Sequence, residues 1–82
     1  MTETEIYERL ETYYEKEDPD LMVQEGEINS GRYETLILSQ VPGNPNAVQG
    51  VYTISVDIQT GDVTEVRVLT DNRVRTYNLK EV

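Results

Sequence analysis

The stretch YTISVDIQTGDVTEVRVLT, from Tyr52 to Thr70, decides the fold because it holds two alternating runs of apolar and polar residues. Alternation with a period of two is typical of a β-strand that is buried on one face only. The Gln-Thr-Gly-Asp sequence between the runs predicts a tight turn in which Gly61 supplies a positive φ. We therefore predict a β-hairpin. On its inner face we expect Tyr52, Ile54, Val56, Ile58, Val66 and Val68.

Further strands are predicted on both sides of this hairpin. In all, the predicted strands cover about residues 21–28, 32–41, 51–58, 63–69 and 74–79. The centre of the second strand, Leu36 to Leu38, is apolar on both faces, which is typical of a central strand. Residues 29–31 and 70–73 have turn compositions, and residues 42–50 (PGNPNAVQG) are predicted to form a loop.

Residues 3–17 are predicted to form an amphipathic helix. Thr2 and Glu5 have the spacing of a capping box, in which each side chain bonds the other residue's backbone N–H. Pro19 disfavours helical geometry at Asp18, so the helix should end near residue 17. The apolar stripe of this helix consists of Ile6, Tyr7, Leu10, Tyr13 and Tyr14.

Together these elements predict a single α+β domain spanning residues 1–82. The N-terminal helix should pack on one face of a four- to five-stranded antiparallel β-meander. The other face should be mostly polar and meet water, with Thr53, Ser55 and Arg67 exposed on it. A homodimer through an edge strand, either 74–79 or 21–28, is a further expectation.

Net charge is the strongest compositional signal. The formal net charge is −9, and residues 1–27 hold ten acids and two bases, whereas residues 28–82 hold six acids and five bases. A field of this sign repels phosphates and anionic lipids, so we expect no direct nucleic-acid binding and no membrane binding. It attracts a basic partner, although an acidic surface can also serve solubility alone.

The candidate partner-binding residues follow from this charge. Glu8, Glu11 and Glu15 fall opposite the apolar stripe, and Glu17, Asp18 and Asp20 extend the acidic ridge. Tyr7 and Tyr14 lie at the edge of the stripe, and we expect both to be partly exposed. Tyrosine is common at protein interfaces because one ring makes apolar and polar contacts.

Catalysis is not expected. The chain has no His and no Cys, which leaves its serines without a histidine base and excludes thiolate zinc sites. The segment from Asp57 to Glu65 does not match a calcium loop, since Gly61 falls at the fifth position and Glu65 at the ninth. No cofactor or metal is predicted. The bases of the last two strands are expected to pair with nearby acids rather than form a basic patch.

Location is also an expectation from sequence. The first ten residues contain no basic segment followed by an apolar segment, so we expect no signal peptide. No apolar run approaches the length that spans a bilayer. We therefore expect a cytoplasmic protein.

The hairpin residues resemble a known family. Tyr52, Ile54, Val56, Asp57, Thr60, Gly61 and Val63 match the closing hairpin of PepSY-type domains, in which a Tyr-x-Val-x-Val-Asp strand precedes a Thr-Gly turn. The resemblance implies a small non-catalytic α+β module of the kind linked to inhibiting or regulating proteases at the cell envelope. An additional strand, 74–79, departs from the pattern, and the matching residues are structural, so no functional site is implied.

Two functional hypotheses follow, and a third, a minor enzyme or ligand-binder, would require a deep pocket lined by carboxylates with raised pKa. The first is a non-enzymatic inhibitor or regulator whose acidic helix engages a basic surface of a larger protein. By composition the chain is similar to small acidic phage or immunity proteins, including inhibitors that mimic DNA charge. The second is a PepSY-like regulatory or structural domain that contacts its partner through the sheet.

Overall fold

The fold is an antiparallel sheet with one helix on one of its faces. The structure is a computed structural model that describes residues 1–68 and 71–82. Within these residues the elements are α1 (Glu3–Glu17), β1 (Leu21–Val23), β2 (Glu27–Asn29), β3 (Arg32–Val41), β4 (Asn44–Asp57), β5 (Asp62–Arg67) and β6 (Val74–Asn78). The spatial order is β1-β3-β4-β5-β6, and β2 also pairs with β3. The predicted α+β architecture is confirmed.

Helix α1 begins and ends where the sequence predicts. The Thr2 hydroxyl accepts the Glu5 backbone N–H at 3.2 Å, and the Glu5 carboxylate accepts the Thr2 N–H at 3.5 Å, so the capping box is formed. Ile6, Leu10 and Tyr14 are fully buried. They pack on the inner face of the sheet, where the rest of the core consists of Val23, Tyr33, Ile37, Ile54, Val56, Val63 and Leu79.

The predicted loop over residues 42–50 is wrong. Strand β4 already begins at Asn44, and Gly43, at φ 79°, lets the chain turn directly back along β3. Register shifts near Ser39–Val41 accommodate the tight return. Proline and asparagine are depleted in strands, which explains the error, but this part of β4 pairs only with β3. Pro45 is therefore tolerated at a sheet edge.

The predicted first strand is interrupted. β1 pairs with the far half of β3 and β2 with its near half, and the chain between them contains Gly26. A side chain at Gly26 would overlap the backbone of Glu34 on β3. Since only glycine allows this close approach, the strand divides here instead of running continuously.

The inner face of β5 differs from the prediction. Ile54 lies opposite Glu65 and Val56 opposite Val63, so Val63 and Glu65 point toward α1 while Val66 points away. Val68 follows the end of β5 and is exposed. Side chains of a strand alternate between its two faces, so the prediction that Val66 points inward assigned the side chains of β5 to the wrong faces. Leu69, in the predicted strand, lies outside the described residues.

Arg67 was expected on the outer face and is not there. It lies opposite Tyr52 on the inner face, with its guanidinium carbon 4.8 Å from the centre of the Tyr52 ring. Arg67 is two residues after Glu65 in β5, so the two side chains lie on the same face of the sheet. The sheet prediction for Thr53 and Ser55 is not affected, because both lie on the other face.

The face of the sheet opposite α1 is uncovered by any element of residues 1–68 and 71–82. One cross-strand row on it runs through Leu36, Thr53, Val66 and Val74, and Leu36 is 44% and Val74 61% exposed. The next row contains Glu34, Ser55, Thr64 and Thr76. We call these two rows the open sheet face. It is more apolar than the sequence predicted.

Candidate partner-binding surface

Three predicted ridge residues lie together on the solvent side of α1. Burial of the apolar stripe leaves Glu8, Glu11 and Glu15 exposed. They succeed one another at intervals of three and four residues, so their Cβ atoms are about 5–6 Å apart along one side of the helix. None of the three forms an ion pair with a lysine or arginine among the described residues.

Two adjoining depressions separate this side of α1 from β1 and β2. One has a volume of about 490 Å³ and is lined by Tyr7, Glu11, Glu15, Pro19, Leu21, Met22, Val23, Gln24 and Glu25. The other, of about 400 Å³, is lined by Glu3, Thr4, Tyr7, Glu8, Glu11, Glu25, Gly26 and Tyr33. We call the two together the acidic groove. Five carboxylates line it, and its lining contains no lysine or arginine.

Tyr7 lies where the two depressions meet. Its ring is half-buried, as predicted, and its hydroxyl is 3.5 Å from the Val23 carbonyl oxygen, which accepts its hydrogen bond. Burial raises the pKa of this phenol, and the negative charges of Glu11 and Glu25 raise it further. The same negative potential that disfavours a phenolate favours a cation in the groove.

The other predicted acids lie away from the groove and have structural contacts. Both Glu17 carboxylate oxygens accept hydrogen bonds from the Arg75 guanidinium, at 2.7 and 3.3 Å. The Asp18 carboxylate accepts the backbone N–H of Asp20 at 2.9 Å, in the turn that leads from α1 to β1. Glu17 therefore holds the end of the helix against the sheet, and Asp18 supports the turn that follows it. Asp20 bonds through its backbone, whose carbonyl accepts the Gln40 N–H at 2.9 Å.

Tyr14 was expected to be partly exposed, and that expectation is wrong. Its side chain is fully buried, and its hydroxyl donates to Glu65 Oε1 at 2.6 Å and accepts from the Tyr77 hydroxyl at 2.8 Å. The physical reason is that β5 presents the buried carboxylate of Glu65 toward α1, and a buried carboxylate needs hydrogen-bond donors such as the Tyr14 hydroxyl. Tyr14 is not accessible to a partner in this structure.

Glu65 is the centre of this buried cluster. It is 0% exposed, and Arg75 donates to its Oε1 at 2.9 Å while Arg67 donates to Oε2 at 3.4 Å. The predicted pairing of Arg67 and Arg75 with acids near them in the sheet is confirmed. Through these contacts the cluster joins α1 to β5 and β6.

Sequence reasoning did not place Glu25 beside the helix, and it did not predict that Glu65 is buried. Glu25 lies between β1 and β2, inside the segment that was predicted as a continuous strand, where its direction could not be inferred. Glu65 shares its phase with Val63, which was a usable signal: a carboxylate at an apolar position implies a buried partner.

Asp57 supports the turn that follows β4. Its carboxylate accepts the backbone N–H groups of Gln59 at 2.9 Å and Thr60 at 3.1 Å. These hydrogen bonds lower the pKa of the Asp57 carboxyl. The predicted turn is confirmed, since Gly61 has φ 83°.

Other classes of site are constrained by the part of the chain that the structure describes. Across residues 1–68 and 71–82, no helix combines the length and apolar character needed to cross a bilayer. The same residues bring no three acidic side chains into an arrangement for holding a metal ion. Comparisons with models of protein families, with curated proteins and with solved structures found no match.

Proposed function

We propose that this chain is a non-enzymatic binding protein, an inhibitor or regulator that uses the acidic groove to engage a basic surface of a larger protein. The observation that carries the proposal is the lining of the groove, with its five carboxylates and no base. In the proposed complex, Glu8, Glu11 and Glu15 contact lysine or arginine side chains of the partner. Tyr7 supplies an apolar surface for their methylene groups.

The distribution of bases supports this proposal. Among residues 28–82, Arg32 donates to the Ser55 hydroxyl at 2.6 Å, and Lys80 donates to the Gln59 carbonyl at 2.9 Å. Arg67 and Arg75 are paired with Glu65, and Arg73 with Asp71. These bases are thus engaged on the sheet or, through Arg75, by Glu17 at the end of α1. The charges of Glu8, Glu11 and Glu15 have no ion pair among the described residues, so their field is left uncompensated. An uncompensated field of this kind speeds association with a basic partner.

The partner class follows from the spacing of the carboxylates. A row of negative charges at one-turn intervals has the sign and regularity of a phosphate backbone, so a basic groove that holds DNA is a suitable target. In this proposal the chain acts in the cytoplasm as an anti-defence or immunity-type inhibitor and does not itself bind nucleic acid. Like charge on the groove disfavours such binding.

The first experiment is affinity capture with the purified protein at ~50 mM and ~500 mM salt, which bracket weak and strong screening of exposed charges. A basic protein retained only at low salt is the expected result. The captured partner is then titrated with the variant Glu8→Gln/Glu11→Gln/Glu15→Gln. Loss of three rim charges should weaken its affinity about tenfold at low salt, mainly through slower association.

A matched control removes the same charge elsewhere. Glu27→Gln/Glu34→Gln/Glu81→Gln alters three exposed acids outside the groove and should leave affinity within about twofold. If the two triple variants bind equally well, the acidic groove is not the contact surface and the proposal fails. Circular dichroism should show that both variants remain folded, since all six side chains are exposed.

A second candidate is favoured by the open sheet face. A PepSY-like regulatory domain would contact its partner through this face, where Leu36 and Val74 are exposed. Thr53→Lys or Ser55→Lys should then abolish capture, and the partner should be retained equally at both salt concentrations. Substitution of Arg67, which lies on the inner face, should leave capture through the open sheet face unchanged.

A further inference from the structure

The two edges of the sheet differ in their capacity to pair with another strand. At one edge, β1 and β2 are three residues each and are separated by the chain around Gly26. At the other edge, β6 is a continuous strand of five residues, and no strand of the described residues pairs with its outer side. Short, interrupted edges resist pairing with a further strand, whereas a continuous one invites it.

The hydrogen bonds of β6 determine which residues point outward. The Arg67 N–H donates to the Arg73 carbonyl at 3.0 Å, and the Leu79 N–H donates to the Gly61 carbonyl at 2.7 Å. Because hydrogen-bonded residues alternate in an antiparallel pair, the odd-numbered residues of β6 bond to β5. The backbone N–H and C=O groups of Val74 and Thr76 and the N–H of Asn78 therefore face the open edge, where the Asn78 carbonyl already accepts the Glu81 N–H at 3.2 Å and has one lone pair left for a second donor.

This edge is complementary to a second copy of itself. An antiparallel pair with its two-fold axis at Thr76 places Val74 opposite Asn78 and Arg75 opposite Tyr77 of the other copy. No like charges meet directly, which is the condition that favours cross-strand pairing. Arg75 already lies over an aromatic ring in this way, 5.3 Å from the centre of its own Tyr77 ring.

Electrostatics also selects this edge for self-association. Residues 62–82 hold four acids and four bases, so this part of the chain has no net charge although the whole chain carries −9. By contrast, the β1–β2 edge borders the acidic groove, where two copies would repel each other. The region around β6 is thus where two copies can meet with the least repulsion.

We propose that β6 pairs antiparallel with β6 of a second copy, about a two-fold axis at Thr76, to form a homodimer with one continuous sheet. This inference goes beyond the proposed function and does not depend on it. The dimer is held by the backbone groups of three residues in each copy. An edge contact of this size is below the standard interface area and predicts dissociation in the micromolar range.

Sedimentation equilibrium of the whole chain tests the proposal, over concentrations from about 10 to 500 µM, which span the expected range. The protein should move from monomer to dimer mass across this range. Thr76→Pro should remain monomeric throughout. The Thr76 N–H faces the open edge, so proline there removes no hydrogen bond to β5 and is compatible with an edge strand.

Two lysine variants keep the test decisive if Thr76→Pro fails to fold. Thr76→Lys places like charges on the two-fold axis and should abolish the dimer at low salt. Thr64→Lys adds the same charge directly opposite Thr76 on β5, away from the edge, and should dimerise like the unaltered protein. The proposal is overturned by a monomer at every concentration, or by a dimer that tolerates Thr76→Lys.

Discussion

Glu65 is a buried carboxylate that accepts hydrogen bonds from a small number of side chains. The shortest of these hydrogen bonds, at 2.6 Å, comes from the Tyr14 hydroxyl. In Tyr14→Phe the ring keeps its packing, but Glu65 loses one donor and the Tyr77 hydroxyl loses its acceptor. A buried hydrogen bond to a charged group contributes about 2 kcal/mol, so the free energy of unfolding should fall by about that amount. Urea denaturation followed by circular dichroism measures it.

Tyr7→Phe is the matched control because it removes the same atom from the same helix. The Tyr7 hydroxyl makes a long, 3.5 Å hydrogen bond in a half-buried position, so its loss should change the unfolding free energy by less than about 0.5 kcal/mol. Equal effects of the two substitutions would mean that the buried cluster contributes no more to stability than a surface contact does.

The buried tyrosines also predict how stability depends on alkaline pH. Burial raises the pKa of Tyr14, and the neighbouring Tyr77 and Glu65 raise it further; burial likewise raises the pKa of Tyr77. In the unfolded chain both phenols ionise near pH 10, whereas in the folded chain they stay protonated. Their contribution to stability is therefore complete below about pH 10 and is lost as pH rises above it.

This dependence can be measured directly. The unfolding free energy should fall steeply between about pH 9.5 and 11, and the fall should be shallower in Tyr14→Phe. Phenolate absorbance should show that Tyr14 and Tyr77 ionise only as the protein unfolds. A titration in which all six tyrosines of the folded protein ionise together near pH 10 would contradict the buried assignment.

Among the elements, the β1–β2 edge depends on a single close approach. In Gly26→Ala, the added methyl group would meet the Glu34 carbonyl and, at 2.7 Å, the Thr35 side chain. Because the Glu34 backbone would have to shift to relieve this overlap, we expect the unfolding free energy to fall by about 2–3 kcal/mol. Hydrogen exchange in β1 and β2 should become faster.

Gly31→Asn is the comparison for that substitution. Gly31 has φ 78° with open space around the position of a side chain. Asparagine tolerates left-handed geometry, so this change should be milder, at about 1 kcal/mol or less. If Gly26→Ala proved as mild as Gly31→Asn, the close approach would not be what divides the first strand.

The sequence was sufficient for elements whose signals are local. The bounds of α1 follow from Thr2, Glu5 and Pro19, which lie next to the residues they control. The strand from Asn44 could not be predicted, because its asparagines and proline disfavour strands and only pairing with β3 overrides them. The inner face of β5 depends on which residue of β4 lies opposite Glu65, and that register is not local information.

In the candidate surface, too, residues set by local signals could be predicted and residues set by tertiary pairing could not. Glu8, Glu11 and Glu15 could be predicted from helical periodicity alone, since they fall opposite the buried stripe. Glu25 joins them only because the chain turns between β1 and β2. The assignment of Tyr14 as an exposed contact failed for a non-local reason. Tyr7 and Tyr14 are seven residues apart and lie on the same border of the buried stripe, but the sheet covers that border fully at Tyr14 and only partly at Tyr7.

At the scale of the whole molecule, acidic and neutral regions occupy different sides. The helical side carries the exposed carboxylates of α1, while the β5–β6 region has no net charge. If both proposals hold, one surface serves the partner and the β6 edge serves self-association, so each dimer presents two acidic grooves. Two linked grooves would bind a repetitive basic surface more tightly than one.

The one-sided distribution of carboxylates has a further consequence for handling the protein. Such a molecule has a permanent electric dipole, with its negative pole at α1. On a cationic bead the protein should adsorb in one orientation, with α1 against the bead and the sheet facing the solution. Immobilisation through charge would thus conceal the very surface that is proposed to bind, whereas attachment through an engineered tag at the opposite pole would display it.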